Sequence, residues 1–260
     1  MAAEPVGAIK IFYCYARKDE KLRDELEKHL GPLKRSGWII TWHDHEIQPG
    51  AERESEIDAR LRKADIILLL VSPDFIHSDY CDAQMHRALE RHKAGEVRVI
   101  PVILRPVDWK ATPLSELQVL PEYANPITRW SDRDEAFESV VMGIREIVET
   151  LLKARRKIWS LESDCLYLQG RYDEAVAIYE HLIRLDPSDV KVYCTKGNAL
   201  MNLKRYDEAL IAYKEALRFD PNNPIANCRI GLVHLLQGRS RESQHAYEKV
   251  QGLSSFRWAS

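Results

Sequence analysis

The segment Ile66-Ile67-Leu68-Leu69-Leu70-Val71 is apolar at every position, which suits a strand covered on both faces, as parallel sheets require. Apolar stretches at 9–15, 38–42 and 97–104 predict companion strands, and 126–129 a short fifth. Between them, charged segments at 19–35, 52–62 and 79–92 read as helices, and 134–157 as a longer one. Strand and helix alternate, the order of a doubly wound α/β domain with a parallel sheet of five strands.

Beyond residue 156 the grammar changes to a repeat. Gly170-Arg171-Tyr172-Asp173-Glu174-Ala175 recurs from Lys204 to Ala209 and more weakly from Gly238 to Ser243, a period of 34 residues. Tyr179, Tyr213 and Tyr247 keep the same register, as do Gly197 and Gly231. Each unit predicts helix, short turn, helix, closed at Asp186-Pro187 and again at Asp220-Pro221. Proline lacks the N–H and restricts the residue before it, so the helix ends there. Such units bury their apolar faces only by stacking. Over 156–250 they resemble three tetratricopeptide (TPR) repeats. Cys194 and Cys228 occupy equivalent positions and read as small residues packed inside each first helix, not as a metal pair. Phe256 and Trp258 in the tail 251–260 read as a cap on the stack or a docking element.

Composition removes several function classes. Lys and Arg number 38 against 40 Asp and Glu, so the basic excess needed to displace counterions from a nucleic acid is lacking. The longest apolar run is far short of a bilayer span, and the start Met1-Ala2-Ala3-Glu4-Pro5 lacks the basic and apolar regions of a signal peptide. Five cysteines without a CxxC pair argue against a disulfide framework or a zinc site and for a reducing compartment. Cytoplasmic localisation, with no membrane and no nucleic-acid partner, is expected.

An open parallel sheet binds ligands beyond the carboxyl ends of its strands, which directs attention to three loops: 15–18, 43–51 and 72–81. No GxGxxG follows the first strand and no GxxxxGK[ST] occurs, so nucleotide phosphates are not held in either of those ways. Phosphoryl transfer of the receiver kind lacks its carboxylates, because the strand ends read Cys14-Tyr15-Ala16 and Val71-Ser72-Pro73. His43-Asp44-His45-Glu46 has no distant third ligand and makes a poor metal site. His77 and Cys81 read as a surface histidine near a buried thiol, and Trp42 as core.

The segments Ile11 to Glu20, Trp42 to Gly50, Leu69 to Phe75, Ser78 to Cys81 and Val99 to Pro106 together resemble a bacterial Toll/interleukin-1 receptor (TIR) domain. The resemblance covers about 8–153 and implies a flavodoxin-like fold joined to an all-α TPR solenoid. Known TIR domains either signal by assembling or break the nicotinamide–ribose bond of NAD+, giving nicotinamide and a linear or cyclic ADP-ribose. Bacterial members fused to other modules resemble the enzymes, often in antiphage defence. NAD+ is then the substrate, no cofactor is needed, TIR domains self-associate, and the repeats take a protein or peptide.

The resemblance places the catalytic glutamate of such enzymes at Gln84, the residue before Met85. Glutamine keeps the shape but carries no charge and is no base. Loss of the carboxylate is expected to lower the rate by roughly two to four orders of magnitude. Asp82 and Glu90 lie about 160° and 120° around the helix from Gln84 and do not replace it. The glutamine reads either as natural to a pseudoenzyme or as an isosteric Glu→Gln replacement; the otherwise intact surroundings favour the replacement. Tyr15, Ala16 and Arg17 match the loop beneath the substrate, with Arg17 facing a phosphate. Tyr80 matches a base-stacking aromatic, Ser72 lies on the third-strand loop, and Ile47 to Gly50 match a loop that completes a neighbour's site. The alternative function is a non-catalytic TIR/TPR signalling scaffold.

Overall fold

The computed structural model describes residues 7–43 and 52–255. The chain divides into two compact units, Met1–Leu152 and Lys153–Ser260.

The first unit is built on strands β1 (Ile9–Tyr15), β2 (Ile39–Trp42), β3 (Ile66–Val71) and β4 (Arg98–Ile103). They are all parallel, in the order β2-β1-β3-β4. The uniformly apolar β3 lies between two neighbours and is buried along its whole length, as its composition demands. Helices α1 (Glu20–His29), α2 (Gly31–Arg35), α3 (Arg53–Lys63), α4 (Pro73–Ile76), α5 (Asp79–Lys93) and α6 (Arg133–Leu168) supply the outer layers. The 19–35 segment divides at Gly31-Pro32, where proline cannot donate to the preceding turn.

Alternation along β1 sorts the two cores. Ile9, Ile11, Tyr13 and Tyr15 pack with Leu26, Leu30, Phe137, Val140 and Ile144. Phe12, Cys14 and Ala16 pack on the other side with Ile57, Leu61, Phe75, Cys81 and Met85.

The expected fifth strand at 126–129 is absent among the described residues: Ile127–Arg129 is a 3-10 turn. Pro101 explains why the outer edge of β4 is not extended. Its carbonyl accepts from Leu120 N (2.9 Å), and Ile103 N donates to Leu120 O (2.7 Å), so this edge is where Pro101 has no N–H to offer. A single parallel bridge, Val102 to Leu120, takes the place of a strand.

In the second unit the C-terminal part of α6 is followed by α7 (Tyr172–Leu185), α8 (Val190–Asn202), α9 (Tyr206–Phe219), α10 (Pro224–Leu236) and α11 (Ser240–Ser255). The helix expected over 134–157 therefore continues to Leu168, with no turn residue to stop it earlier. Side-chain oxygens of Asp189 and Asn223 cap α8 and α10 by accepting from Val192 N and Ala226 N.

The repeated glycines have a packing reason. A Cβ on Gly197 would lie 2.5 Å from Tyr213 Cε1, and one on Gly231 3.1 Å from the Tyr247 ring. Gly197→Val is expected to destabilise the second unit by about 1–3 kcal/mol through overpacking. Thermal unfolding followed by circular dichroism checks this; an unchanged transition would contradict the tight approach. The paired cysteines behave differently from expectation. Cys194 is buried, but Cys228 is exposed, because the Asn223 turn that leads into the next helix pair lies by Cys194 (Sγ to Asn223 Oδ1, 3.9 Å) and no described segment does the same for Cys228. Phe256 and Trp258 lie outside the described residues.

Candidate active site

The carboxyl ends of β1 and β3 approach the first turns of α5. Ser78 starts that helix by accepting a hydrogen bond from Cys81 N (3.3 Å). One turn on, Gln84 points inward and is only 6% exposed, the single glutamine in the core of either unit among the described residues. Its Oε1 accepts from Cys14 Sγ at 2.8 Å, a contact between residues 70 apart in sequence. Gln84 is thus held from below by the last inward-facing side chain of β1 but one. Tyr80 sits four residues earlier on the same face of α5 and is 41% exposed. An aromatic on the rim and an amide at the base are therefore stacked one turn apart.

The other expected site residues fall in several places. Ala16 is buried on the Cys14 side of β1, and the exposed Arg17 opens the 3-10 turn Arg17–Asp19 that follows. Tyr15 is turned to the opposite core, where the Arg23 guanidinium lies 5.2 Å from its ring centre. Strand alternation decides this: Tyr15 can offer a ligand on the Gln84 side only its backbone. Ser72 is fully buried, and its hydroxyl is committed three times over. It accepts from Phe75 N (3.1 Å) and from Arg105 Nη2 (3.2 Å), and donates to Asp19 Oδ2. It holds the β3 loop and has no spare capacity for a ligand. Ile47 and Gly50 lie outside the described residues.

The residues around Ser72 form a network that motif reasoning did not single out. Arg105, just beyond β4, donates from Nε to Asp19 Oδ1 (2.8 Å) and also pairs with Asp74, which accepts from Lys18 Nζ at 2.7 Å. Asp19 is buried, so its charge depends on these partners. Three loops, after β1, β3 and β4, are joined by one guanidinium. The signal lay in the charged residues at successive strand ends, Lys18-Asp19, Asp74 and Arg105, but nothing along the chain pairs them.

Hydrogen bonds from Arg105 and then Lys18 hold the Asp74 carboxyl down, at about 2. Because the folded value lies below the ordinary value of about 4, the tether is complete above that range and is lost as pH falls through about 2. A carbon-13 NMR titration of the Asp74 carboxyl is expected to show that depressed midpoint. A midpoint near 4 would contradict the paired geometry.

Among the described residues no group of three or more His, Cys, Asp or Glu side chains is placed to hold a metal ion. None of the described helices is long and apolar enough to cross a membrane.

A four-stranded parallel sheet with this loop arrangement, followed by 34-residue helical pairs, matches known families in both halves. Residues 11–141 match the TIR domain, and 164–204 and 197–238 match the TPR repeat. The protein belongs to the TIR domain family, with TPR repeats after the TIR domain.

The uncharacterized protein y4lF of Sinorhizobium fredii is 52% identical over 137 residues, covering 52% of this chain and 42% of that protein. The 2' cyclic ADP-D-ribose synthase BtTIR of Bacteroides thetaiotaomicron is 23% identical over 150 residues, covering 57% of this chain and 46% of the synthase. The chain thus matches a little under half the length of these curated relatives. Among solved structures, MamA overlays 40% of this chain and 61% of its own at 16% identity with a TM-score of 0.39, too low to bear on function.

Proposed function

We propose that the protein is a TIR-type NAD+ nucleosidase, breaking the nicotinamide–ribose bond, in a form disabled at Gln84. The observation that carries this reading is the buried Gln84 side chain, gripped by Cys14 at 2.8 Å on the helix after β3. A carboxylate of the same shape at that place would face developing oxocarbenium charge, which is where it lowers the barrier most. The distant likeness to a cyclic ADP-ribose synthase supports NAD+ as the substrate class and leaves both linear and cyclic products within the reading.

In this proposal Tyr80 stacks on a base, Arg17 pairs with a phosphate, and the backbone at Tyr15 and Ala16 lies beneath the substrate. Ile47 and Gly50 belong to the assembly loop implied by the resemblance. Ser72 acts by positioning, through Asp19 and Arg105. No cofactor is required. TIR self-association activates the enzyme in the cytoplasm, the TPR repeats bind a protein or peptide partner, and the setting is bacterial antiphage defence.

A second reading, a non-catalytic TIR/TPR signalling scaffold, is favoured by the neutral side chain of Gln84 itself. NAD+ consumption by the chain and by Gln84→Glu, under conditions where assembly is verified by light scattering, separates the two. Turnover confined to Gln84→Glu supports the nucleosidase; silence from both assembled proteins supports the scaffold.

A further inference from the structure

Two cavities of the second unit, one 34-residue period apart, lie between successive second helices of the repeats. One, of about 390 Å³, is formed by α7, α8 and α9; the other, of about 500 Å³, by α9, α10 and α11. His234, which lines the second, is nine residues beyond Ile225 on α10, about half a turn out of phase. This cavity therefore lies on the side of α10 opposite Ile225.

Because the repeats share one backbone plan, the first cavity shows what the fold alone asks of these positions. There Glu180 is paired with Lys196 (3.0 Å), Glu208 with Arg205 (2.6 Å) and Glu215 with Arg218 (3.0 Å), so its acids are satisfied within the chain. Leu200 and Ile211 supply apolar lining. One period on, Glu180 is replaced by Lys214, Asp207 by Arg241, Leu200 by His234 and Ile211 by His245. The partner of the lost acid goes with it: Lys196 is replaced by Ile230.

Packing does not ask for these replacements. Aliphatic side chains fill both histidine positions in the preceding repeat, and Nδ1 of His234 is buried with no hydrogen-bond partner among the described residues, which disfavours the folded chain. Arg241 stands in the first turn of α11, where α7 and α9 carry Asp173 and Asp207, the sign that end of a helix favours. Among the described residues neither Lys214 nor Arg241 is in an ion pair. Glu242 is the one acid in the described lining and offsets one of the two cations. A surplus of positive charge and two imidazoles thus line one cavity, above a floor that includes Leu217 and the buried Ile230.

We propose that this cavity binds a small organic phosphate, with its phosphoryl oxygens held by Lys214, Arg241 and the two imidazoles and its organic part lying on Leu217 and Ile230. A phosphate monoester suits the lining better than a carboxylate, because its three terminal oxygens accept from several donors at once and its charge is about −1.5 to −2 at neutral pH. The volume falls within the range of about 300–1,000 Å³ usual for small-molecule pockets. None of the described lining residues is an exposed large apolar side chain, so nothing at the rim calls for a longer partner.

The test is isothermal titration calorimetry of the full chain with phenyl phosphate. Saturable binding is expected, tighter than that of inorganic phosphate and at least about tenfold tighter than that of phenol. Lys214→Glu/His245→Ile and His234→Leu install the residues of the preceding repeat, which the fold accommodates, and circular dichroism verifies that each variant is folded. The double variant is expected to weaken phenyl phosphate binding at least about tenfold, and His234→Leu to weaken it less. Absence of saturable binding overturns the proposal, as does binding that neither variant weakens, which would put the phosphate elsewhere on the chain. Phenol or inorganic phosphate binding as tightly as phenyl phosphate also overturns it, since the first result removes the anion and the second the organic part. A phosphoserine peptide that binds more tightly than phenyl phosphate, and is weakened by the same variants, overturns the small-molecule assignment in favour of a protein partner.

Discussion

Gln84→Glu is expected to raise NAD+ cleavage by roughly two to four orders of magnitude over the unchanged chain, read as kcat in the assembled protein. The geometry favours a clean gain. Glutamate has the same shape, so one carboxylate oxygen inherits the hydrogen bond from Cys14 Sγ, now 2.8 Å from Gln84 Oε1. The other oxygen takes the place of the amide nitrogen. At 6% exposure the new carboxylate is poorly solvated, which strengthens its field on a developing cation and raises its pKa toward the working range of an acid–base group.

Cys14 is then a positioning residue. Cys14→Ala in the Gln84→Glu background is expected to lower kcat about tenfold with a smaller change in KM, because a misplaced group loses the aligned geometry more than the binding. Cys14→Ser, which keeps a donor, is expected to retain most of the rate. If assembled Gln84→Glu turns over no NAD+, the enzymatic reading fails and Gln84 stands as a feature of a scaffold.

Arg105→Met is expected to destabilise the first unit by about 3 kcal/mol, toward the lower end of the range for breaking a buried pair because Arg105 is itself partly exposed. The loss arises mainly at Asp19, which is 1% exposed and would keep a charge with only the Ser72 hydroxyl to face it. Asp74 would retain Lys18 and suffers less. For a unit of this size the change corresponds to a fall in Tm of roughly 6–12 °C. Asp19→Asn/Arg105→Met should recover part of it, since removing both charges avoids the unpaired one. Equal Tm values for the original and Arg105→Met would show that the three loops stand without this guanidinium.

The legible features share a property: their signal is contained in a short window or in a period. Six apolar residues at 66–71 suffice to mark the central strand, because only burial on both faces tolerates them. The 34-residue recurrence of Tyr179, Tyr213 and Tyr247 marks the repeat, because each ring must meet a small residue sixteen positions earlier, Ser163, Gly197 or Gly231. Gln84 was visible through its place before Met85 in a family pattern.

The misread fifth strand shows the opposite condition. Its fate depended on Leu120, which takes the outer edge of β4 at Pro101 and Ile103 and leaves Thr128 N to reach only Leu104 O, beyond the end of that strand. The loop sequence places Tyr15 beside a ligand, yet the alternation of β1 turns its ring to the other core. By itself the sequence determined the two units, the central strand, the repeat and the candidate position at Gln84, since local propensity and periodic burial act along the chain. Only the tertiary structure decided that Cys14 grips Gln84 and that Arg105 joins Asp19 to Asp74, because those hydrogen bonds depend on side chains 31 to 86 residues apart being brought together by the sheet.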